Sequence, residues 1–410
     1  MNIHMISVDN EFKECPFGSI FIDPSTADVY DTSSVHIVHS GVDTVKQLYN
    51  GHLQEHILSL FEEPGIVDFA GHRWIAGRIG RDSGYQYKLQ NADLGLILLI
   101  KSFHVQAENE GPHLKIEVSP HAILSRHAHE LQHLMDDLAG NVLVRPEKRQ
   151  CAVHLCVDLQ GWTPPKDFDA YLHCRSRRVK QFNGINEIDF ASTSAVYGRG
   201  ETWLFGSPAG IQLAVYDKTL ETQVSDKWDY WHSIWSQSAN YDEDKAVYRV
   251  ELRFHHTVID QFSLGTVNKQ TGEVAEFADF NELSHHLTGI WQYGFESFRY
   301  FARPGVFHPI WTILSRTAFI SDGELYEYKR HYKSARGFSG KNVELALGNL
   351  ISLAARQRLS GCQLWKMLQQ LDVFDVIRDH YHEKGMATWQ LSAHVKRLLE
   401  ERYLLWGKAI

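Results

Sequence analysis

The 410-residue chain is poor in the features that mark secreted or membrane proteins. Its five cysteines (Cys15, Cys151, Cys156, Cys174 and Cys362) are odd in number, scattered and free of C-x-x-C pairs. That fits reduced cytosolic thiols better than a disulfide framework or a zinc ribbon. No stretch reaches 18 uncharged apolar residues, the length a membrane-spanning helix needs; GLILLIKSF is short and reads as a buried strand. The opening MNIHMISVDNEFKECPFGS lacks a basic start and an apolar core, so no secretory signal is expected and the expected location is cytoplasmic. Repeats, low-complexity tracts and long linkers are absent as well. Positive charge is also short: 41 Lys and Arg face 50 Asp and Glu, a net −9. A nucleic-acid binder draws most of its affinity from cations on phosphates, so such a role here requires its basic residues to be clustered.

What is present is a globular balance, 43% hydrophobic and 22% charged, in a chain long enough for two or three domains. Strand-like segments at 36–38, 74–77, 86–89, 96–103 and 114–118, mixed with helical spacing over 44–61 and 123–138, make residues 1–145 an α+β section suited to DNA binding or dimerisation. Residues 146–300 carry strands around 153–159, 187–190, 201–205, 211–216 and 247–254 and a helix over 228–236. From Leu287 onward the spacing is helical, with Gly361 and Gly385 as terminators, so 301–410 is expected to be a C-terminal helical domain. The expected fold class is α+β: antiparallel-sheet-based N-terminal and central domains followed by an all-α C-terminal region.

Two segments of the central section carry chemistry. In GIQLAVYDKTLE, Tyr216, Asp217, Lys218 and Glu221 close an apolar strand, and in YRVELRF Glu251 stands between Arg249 and Arg253 on one strand face. A phenol is a weak nucleophile at its free pKa of about 10, so attack on a phosphodiester needs cationic or metal assistance. Tyrosine, lysine, arginine and a carboxylate together supply those parts. The structural alternative is a core tyrosine with a satisfied hydroxyl and a solvated strand face with cross-strand ion pairs.

The order Glu201, Thr202, Trp203, Phe205, Gly206, Ser207, then Tyr216, Asp217, Lys218, Glu221, then Arg249, Val250, Glu251, Arg253, Phe254 resembles replication initiators and relaxases of the Rep_trans type (replication initiation factor family). Coverage is best over 150–260, weaker over 40–150 and absent after about 300. The resemblance implies a nicking-joining enzyme of a plasmid, phage or integrative element that initiates rolling-circle replication or transfer. Tyr216 would form a 5′-phosphotyrosine, assisted by Lys218 and Arg249. It also implies an earlier Arg-x-Asp-x-x-x-Asp strand. The candidate is AVHLCVDLQGW, with Asp158 as the second acid, His154 in place of the first and Ala152 in place of the arginine. The implied metal set is Asp158, Glu251 and His154, holding Mn²⁺ or Mg²⁺; a histidine suits Mn²⁺ better than Mg²⁺. The implied partner is DNA at an origin of replication or transfer, presented as a single-stranded or cruciform nick site. A helicase and a second copy of the chain are further implied partners, and no membrane is.

Two basic clusters could meet DNA. Arg175, Arg177, Arg178 and Lys180 lie in CRSRRVKQF; Lys329, Arg330, Lys333 and Arg336 lie in EYKRHYKSARGFSGK, where Tyr328, Tyr332 and Phe338 interleave as stacking surfaces do. Solvated loops are the plainer reading of both. A second chemistry competes at 129–133, where His129, Glu130 and His133 form a literal H-E-x-x-H, the zinc-hydrolase pattern. No third histidine follows at metzincin spacing, and Leu131, Leu134 and Leu138 give an amphipathic helix. The last segment, around 392–402, reads as a bundle helix or as a DNA-reading helix. A zinc hydrolase and a non-catalytic DNA-binding regulator therefore stand beside the nicking enzyme.

Overall fold

The computed structural model describes residues 12–15, 19–80, 83–174, 179–183, 201–319, 325–331 and 340–407. The chain divides into two compact units, Met1–His331 and Tyr332–Ile410. In the first, a small sheet of β1 (Lys13–Glu14), β2 (Ile20–Ile22) and β3 (Val29–Asp31) precedes β4 (His36–Leu53), β5 (Gly65–Phe69), β6 (His72–Arg78), β7 (Tyr85–Asn91), β8 (Leu96–Ser102) and β9 (Gly111–Val118). Helices α1 (Pro120–Leu124) and α2 (Ala128–Val142) lead into β10 (Leu143–Gln160), followed by α3 (Phe168–Tyr171), β11 (Leu172–Cys174), β12 (Val179–Asn183), β13 (Glu201–Gly206) and β14 (Ile211–Asp217). Then come α4 (Lys218–Val224), α5 (Trp228–Trp235), β15 (Tyr248–Phe254), α6 (His256–Ser263), β16 (Val267–Asn268), α7 (Phe280–Ser284), α8 (Leu287–Glu296), β17 (Phe298–Arg303), β18 (Val306–Phe307), α9 (Pro309–Ser315) and β19 (Tyr326–Glu327).

One antiparallel sheet of eleven strands, in the order β12-β13-β14-β15-β10-β4-β9-β8-β7-β6-β5, organises this unit. The α+β class is as the residue patterns imply, but the boundary expected at 145 is not a domain boundary. β10 starts at Leu143 and pairs with β4 on one side and β15 on the other, so residues on both sides of position 145 share one sheet. The expected strand at 187–190 lies outside the described residues.

One face of this sheet is apolar. Val153, Leu155, Val157, Val250, Leu252, Phe254, Leu213 and Val215 join Leu131 and Met135 of α2, Phe262 of α6 and Trp291 of α8 in one buried cluster. The helix expected over 44–61 is instead strand through Leu53. Val45, Gln47 and Tyr49 point inward in period two, and the buried Gln47 breaks the apolar pattern at the middle position. Its amide nitrogen donates to the carbonyls of Leu48, Gln150 and Ala278, while its Oε1 is buried with no hydrogen-bond partner among the described residues. Residues after Leu287 are likewise not helical throughout, since β17, β18 and β19 interrupt them.

The second unit is helical: α10 (Gly340–Arg356), α11 (Gly361–Gln369), α12 (Phe374–Glu383) and α13 (Thr388–Gly407). Leu391, Val395 and Leu399 of α13 are buried with Val343, Leu347, Ile351, Leu364 and Ile377, the packing a bundle requires.

Candidate active site

The second face of the large sheet is polar around the middle strands, and strand alternation builds it directly. Tyr216, Arg249, Asp158 and His39 form one cross-strand row from β14 to β4. Ala214, Glu251, Cys156 and Gly41 form the next row, and Gln212, Arg253, His154 and Thr44 a third. Apolar neighbours at every second position lock these side chains outward. A one-residue slip of any strand would move charges into the core, so the register is strongly specified.

A β-bulge adds a residue the sequence did not single out. His154 pairs with Thr44 and Leu155 with Val42, leaving Asp43 as the extra residue of β4. Val42 and Val45 both reach the core cluster, so Asp43 and Thr44 between them face the polar side. Ligand atoms of Asp43, His154 and Glu251 all lie within 4.8 Å of one another. Two carboxylates and an imidazole at that spacing are a fit donor set for a divalent ion.

Around this cluster the charges are tightly partnered. The Tyr216 hydroxyl donates to Glu251 Oε2 at 3.2 Å. His154 Nδ1 lies 3.2 Å from Glu251 Oε1, and Arg253 donates to both carboxylate oxygens, at 2.8 and 3.2 Å. Burial opposes charge on Glu251, yet Arg253 and His154 hold its carboxyl well below the usual range. Burial lowers His154 against the pull of Glu251, favouring the neutral imidazole that ligates metals. Burial, and next the Glu251 charge, push the Tyr216 phenol well above its usual 10. Tyr216 is therefore held as the neutral phenol rather than as a tyrosinate.

Of the residues the sequence nominates, the structure brings Tyr216, Glu251 and His154 together and holds Asp158 and Arg249 beside them as a buried ion pair. Asp158 is fully buried and spends both oxygens on Arg249, at 2.6 and 2.7 Å, with Trp235 Nε1 donating to it at 2.8 Å. The expected role of Asp158 as a metal ligand gives way to that of a buried ion-pair partner. Arg249 is also fully buried; it bridges Asp158 and Asp43 and lies 4.1 Å from the centre of the Trp231 ring. It cannot reach a phosphate directly, and instead fixes Asp43 at the cluster. Lys218 is buried between the Tyr216 and Trp231 rings, 5.8 and 4.8 Å from their centres, and pairs with Glu221. Gly206 of the sequence motif has a structural task. Its φ of +94° turns the β13–β14 hairpin, where a Cβ would come within 2.4 Å of the Ile211 carbonyl oxygen.

The basic clusters are only partly described. Arg175, Arg177, Arg178, Lys333 and Arg336 lie outside the described residues, as do Tyr332 and Phe338; Lys180 falls on β12, at the sheet edge. Lys329 pairs with Glu327 at 2.7 Å, and Arg330 donates to Gln261 at 2.8 Å. The Tyr328 ring is not an open stacking surface. It packs on Gly289, where a Cβ would approach it to 1.9 Å, and its hydroxyl meets His286 Nδ1 at 3.0 Å.

The H-E-x-x-H segment falls on α2, with His129, Glu130 and His133 all exposed and Leu131 and Leu138 buried. Glu130 Oε2 accepts from the His127 backbone N–H at 3.0 Å, completing a capping box. Glu130→Gln is therefore expected to change stability by less than about 1 kcal/mol and to leave any activity of the sheet site unchanged. One equivalent of bound zinc that disappears in a His129→Ala, His133→Ala double variant would refute this assignment.

No helix among the described residues is long and apolar enough to cross a membrane. The chain is 44% identical over 421 aligned residues to uncharacterized protein ORF430 of Pseudomonas phage Pf1, a match spanning 99% of this chain and 98% of that protein. No family model matches the sequence, and no solved structure does.

Proposed function

We propose that this chain, which belongs to the family of the Pseudomonas phage Pf1 protein ORF430, is a DNA nicking-joining enzyme of a mobile element that acts through Tyr216. One observation carries the reading: a tyrosine hydroxyl is held 3.2 Å from a carboxylate that belongs to a three-ligand cluster on the polar face of the sheet. A relative in a bacteriophage is consistent with initiation of rolling-circle replication, and the order of motifs in the sequence supports the same class.

The chemistry assigns each residue a task. The Tyr216 oxygen attacks the phosphorus, its proton passing to Glu251 Oε2, and the P–O3′ bond breaks. The 3′ oxygen takes that proton from Glu251 and leaves as the 3′ hydroxyl, Glu251 returns to the carboxylate, and the 5′ phosphate stays on the tyrosine. Reversal of the same steps rejoins the strand. Asp43, His154 and Glu251 would hold a divalent ion, which supplies charge neutralisation at the phosphoryl oxygens. Arg249, anchored by Asp158, fixes Asp43. Lys218 places positive charge beside the phenol ring, and Arg253 steadies Glu251.

The direct test is incubation with supercoiled DNA of its own element and Mn²⁺ or Mg²⁺. Relaxed circles carrying covalently attached protein are expected; specific binding with no nick in any metal would instead favour the DNA-binding regulator. Because an imidazole is in the donor set, activity with Mn²⁺ should exceed that with Mg²⁺, and His154→Asp should shift the preference toward Mg²⁺. Equal use of both metals by the wild type, or nicking in excess chelator, would contradict the three-ligand arrangement.

A further inference from the structure

Beyond the tyrosine, the same polar face continues into β4 and β9 and changes sign. Lys46 is flanked by Ala152 of β10 and by Glu117 of β9, two positions along β4 from Thr44, the partner of His154. At the rise of a strand that separation is about 6.7 Å. Lys115 stands two positions from Glu117 on β9. The Lys46 and Lys115 ammonium groups both turn to one oxygen, Glu117 Oε1, at 3.7 and 3.0 Å. All three side chains are largely withdrawn from water, with 16%, 13% and 13% exposure for Lys46, Lys115 and Glu117.

The charges there do not balance. Two ammonium groups share one carboxylate, while the next cation, Arg253, is already matched by Glu251. His255 and His256 add no compensating charge of either sign: burial holds both below the ordinary histidine value, helped at His255 by Lys46 and Lys115 and at His256, held at about 4, by His255 and then Lys115. The Lys46–Lys115–Glu117 group thus carries one more cation than carboxylate at positions that water reaches poorly, and burial accordingly lowers the Lys46 pKa against the pull of Glu117. Such a charge is costly unless an anion completes it. In a chain of net charge −9, long-range attraction cannot draw in DNA, so local sites of this kind must do so.

We propose that Lys46 and Lys115 form a phosphodiester subsite that holds the DNA strand beside the scissile phosphate. The inference rests on the nicking reading for its placement: a strand entering over Tyr216 of β14 would cross Glu251 of β15 and His154 of β10 and reach Lys46 of β4 and Lys115 of β9. Glu117 orients the two lysines and limits how tightly the strand is held.

The test is binding of a labelled single-stranded oligonucleotide carrying the element's nick sequence, measured in excess chelator so that no chemistry intervenes. Lys46→Gln and Lys115→Gln should each weaken binding about tenfold and lower the slope of log affinity against log salt by about 0.7. Lys46→Arg should retain most of the affinity. Glu117→Gln should tighten binding about threefold by freeing positive charge, a result that a folding defect cannot produce. Unchanged affinity in both lysine variants, or weaker binding by Glu117→Gln, would overturn the subsite. Inorganic phosphate competing as well as the oligonucleotide would overturn it too, because the site would then be one for the free ion. Adduct formation by the wild type is scored in parallel. An adduct without any response to these variants removes the subsite alone, whereas the expected binding responses without an adduct keep the subsite and remove the nicking reading.

Discussion

Tyr216→Phe is expected to abolish covalent attachment to DNA while leaving oligonucleotide affinity within about twofold of the wild type. The substitution removes the single atom that would bond to phosphorus, so the covalent step is lost rather than slowed. The fold should tolerate it. Glu251 keeps the Arg253 and His154 contacts, and loss of one hydrogen bond to a charged acceptor costs about 1.5–3 kcal/mol. Denaturing gels of protein incubated with supercoiled substrate and Mn²⁺ would show the adduct in the wild type and none in the variant. A persisting adduct would disqualify Tyr216, and Tyr248, beside Asp217 in the register, would be tested next.

Asp158→Ala and Asp43→Ala should fail in different ways, although both remove a carboxylate from Arg249. Asp158 makes two of the Arg249 contacts in a fully buried pair, and truncating one partner of such a pair costs about 3–5 kcal/mol because the other charge is stranded. Asp158→Ala should therefore lower the urea midpoint sharply and lose activity through instability. Asp43→Ala leaves Arg249 its two-pronged partner, so stability should fall much less while Mn²⁺-dependent nicking disappears. Combining Asp43→Ala with Glu251→Ala should cost little further activity, since residues that act as one unit are not additive. The pH dependence follows from the same pair. Burial opposes charge on Asp158, but Arg249 holds its folded pKa below the ordinary 3.8. Its contribution is thus complete above that value and lost as pH falls through the depressed one. Equal stability of Asp158→Ala and the wild type would show that Asp158 is not structural.

The sequence was most legible where the alternation is clean. In Val153–Leu159 and Tyr248–Phe254 every second residue is apolar, so the strands and their polar faces follow from period two alone, whereas the grouping of His154 with Glu251 was implied only by the family resemblance and is set by the pairing of β10 with β15. The same regularity misled over 44–61. There a buried Gln47 interrupts the apolar set, and the spacing of Val45, Leu48 and Tyr49 imitates a helix. The signal that could have exposed Asp43 was an acid set among strand formers in GVDTV, but the bulge that turns it outward exists only in the pairing with β10.

By itself, then, the sequence determined an α+β chain and the two strands that carry Tyr216 and Glu251 on their polar faces, because strand faces are a local property set by residue order. Which charges are spent on one another was decided by tertiary structure. Asp158 and Arg249 look as available as Glu251 until β10 and β15 pair, α5 closes over them and Trp231 and Trp235 exclude water. Burial makes an ion pair exclusive, and burial depends on elements distant in the chain, so the separation of structural charges from chemically available ones could not be written into any single strand.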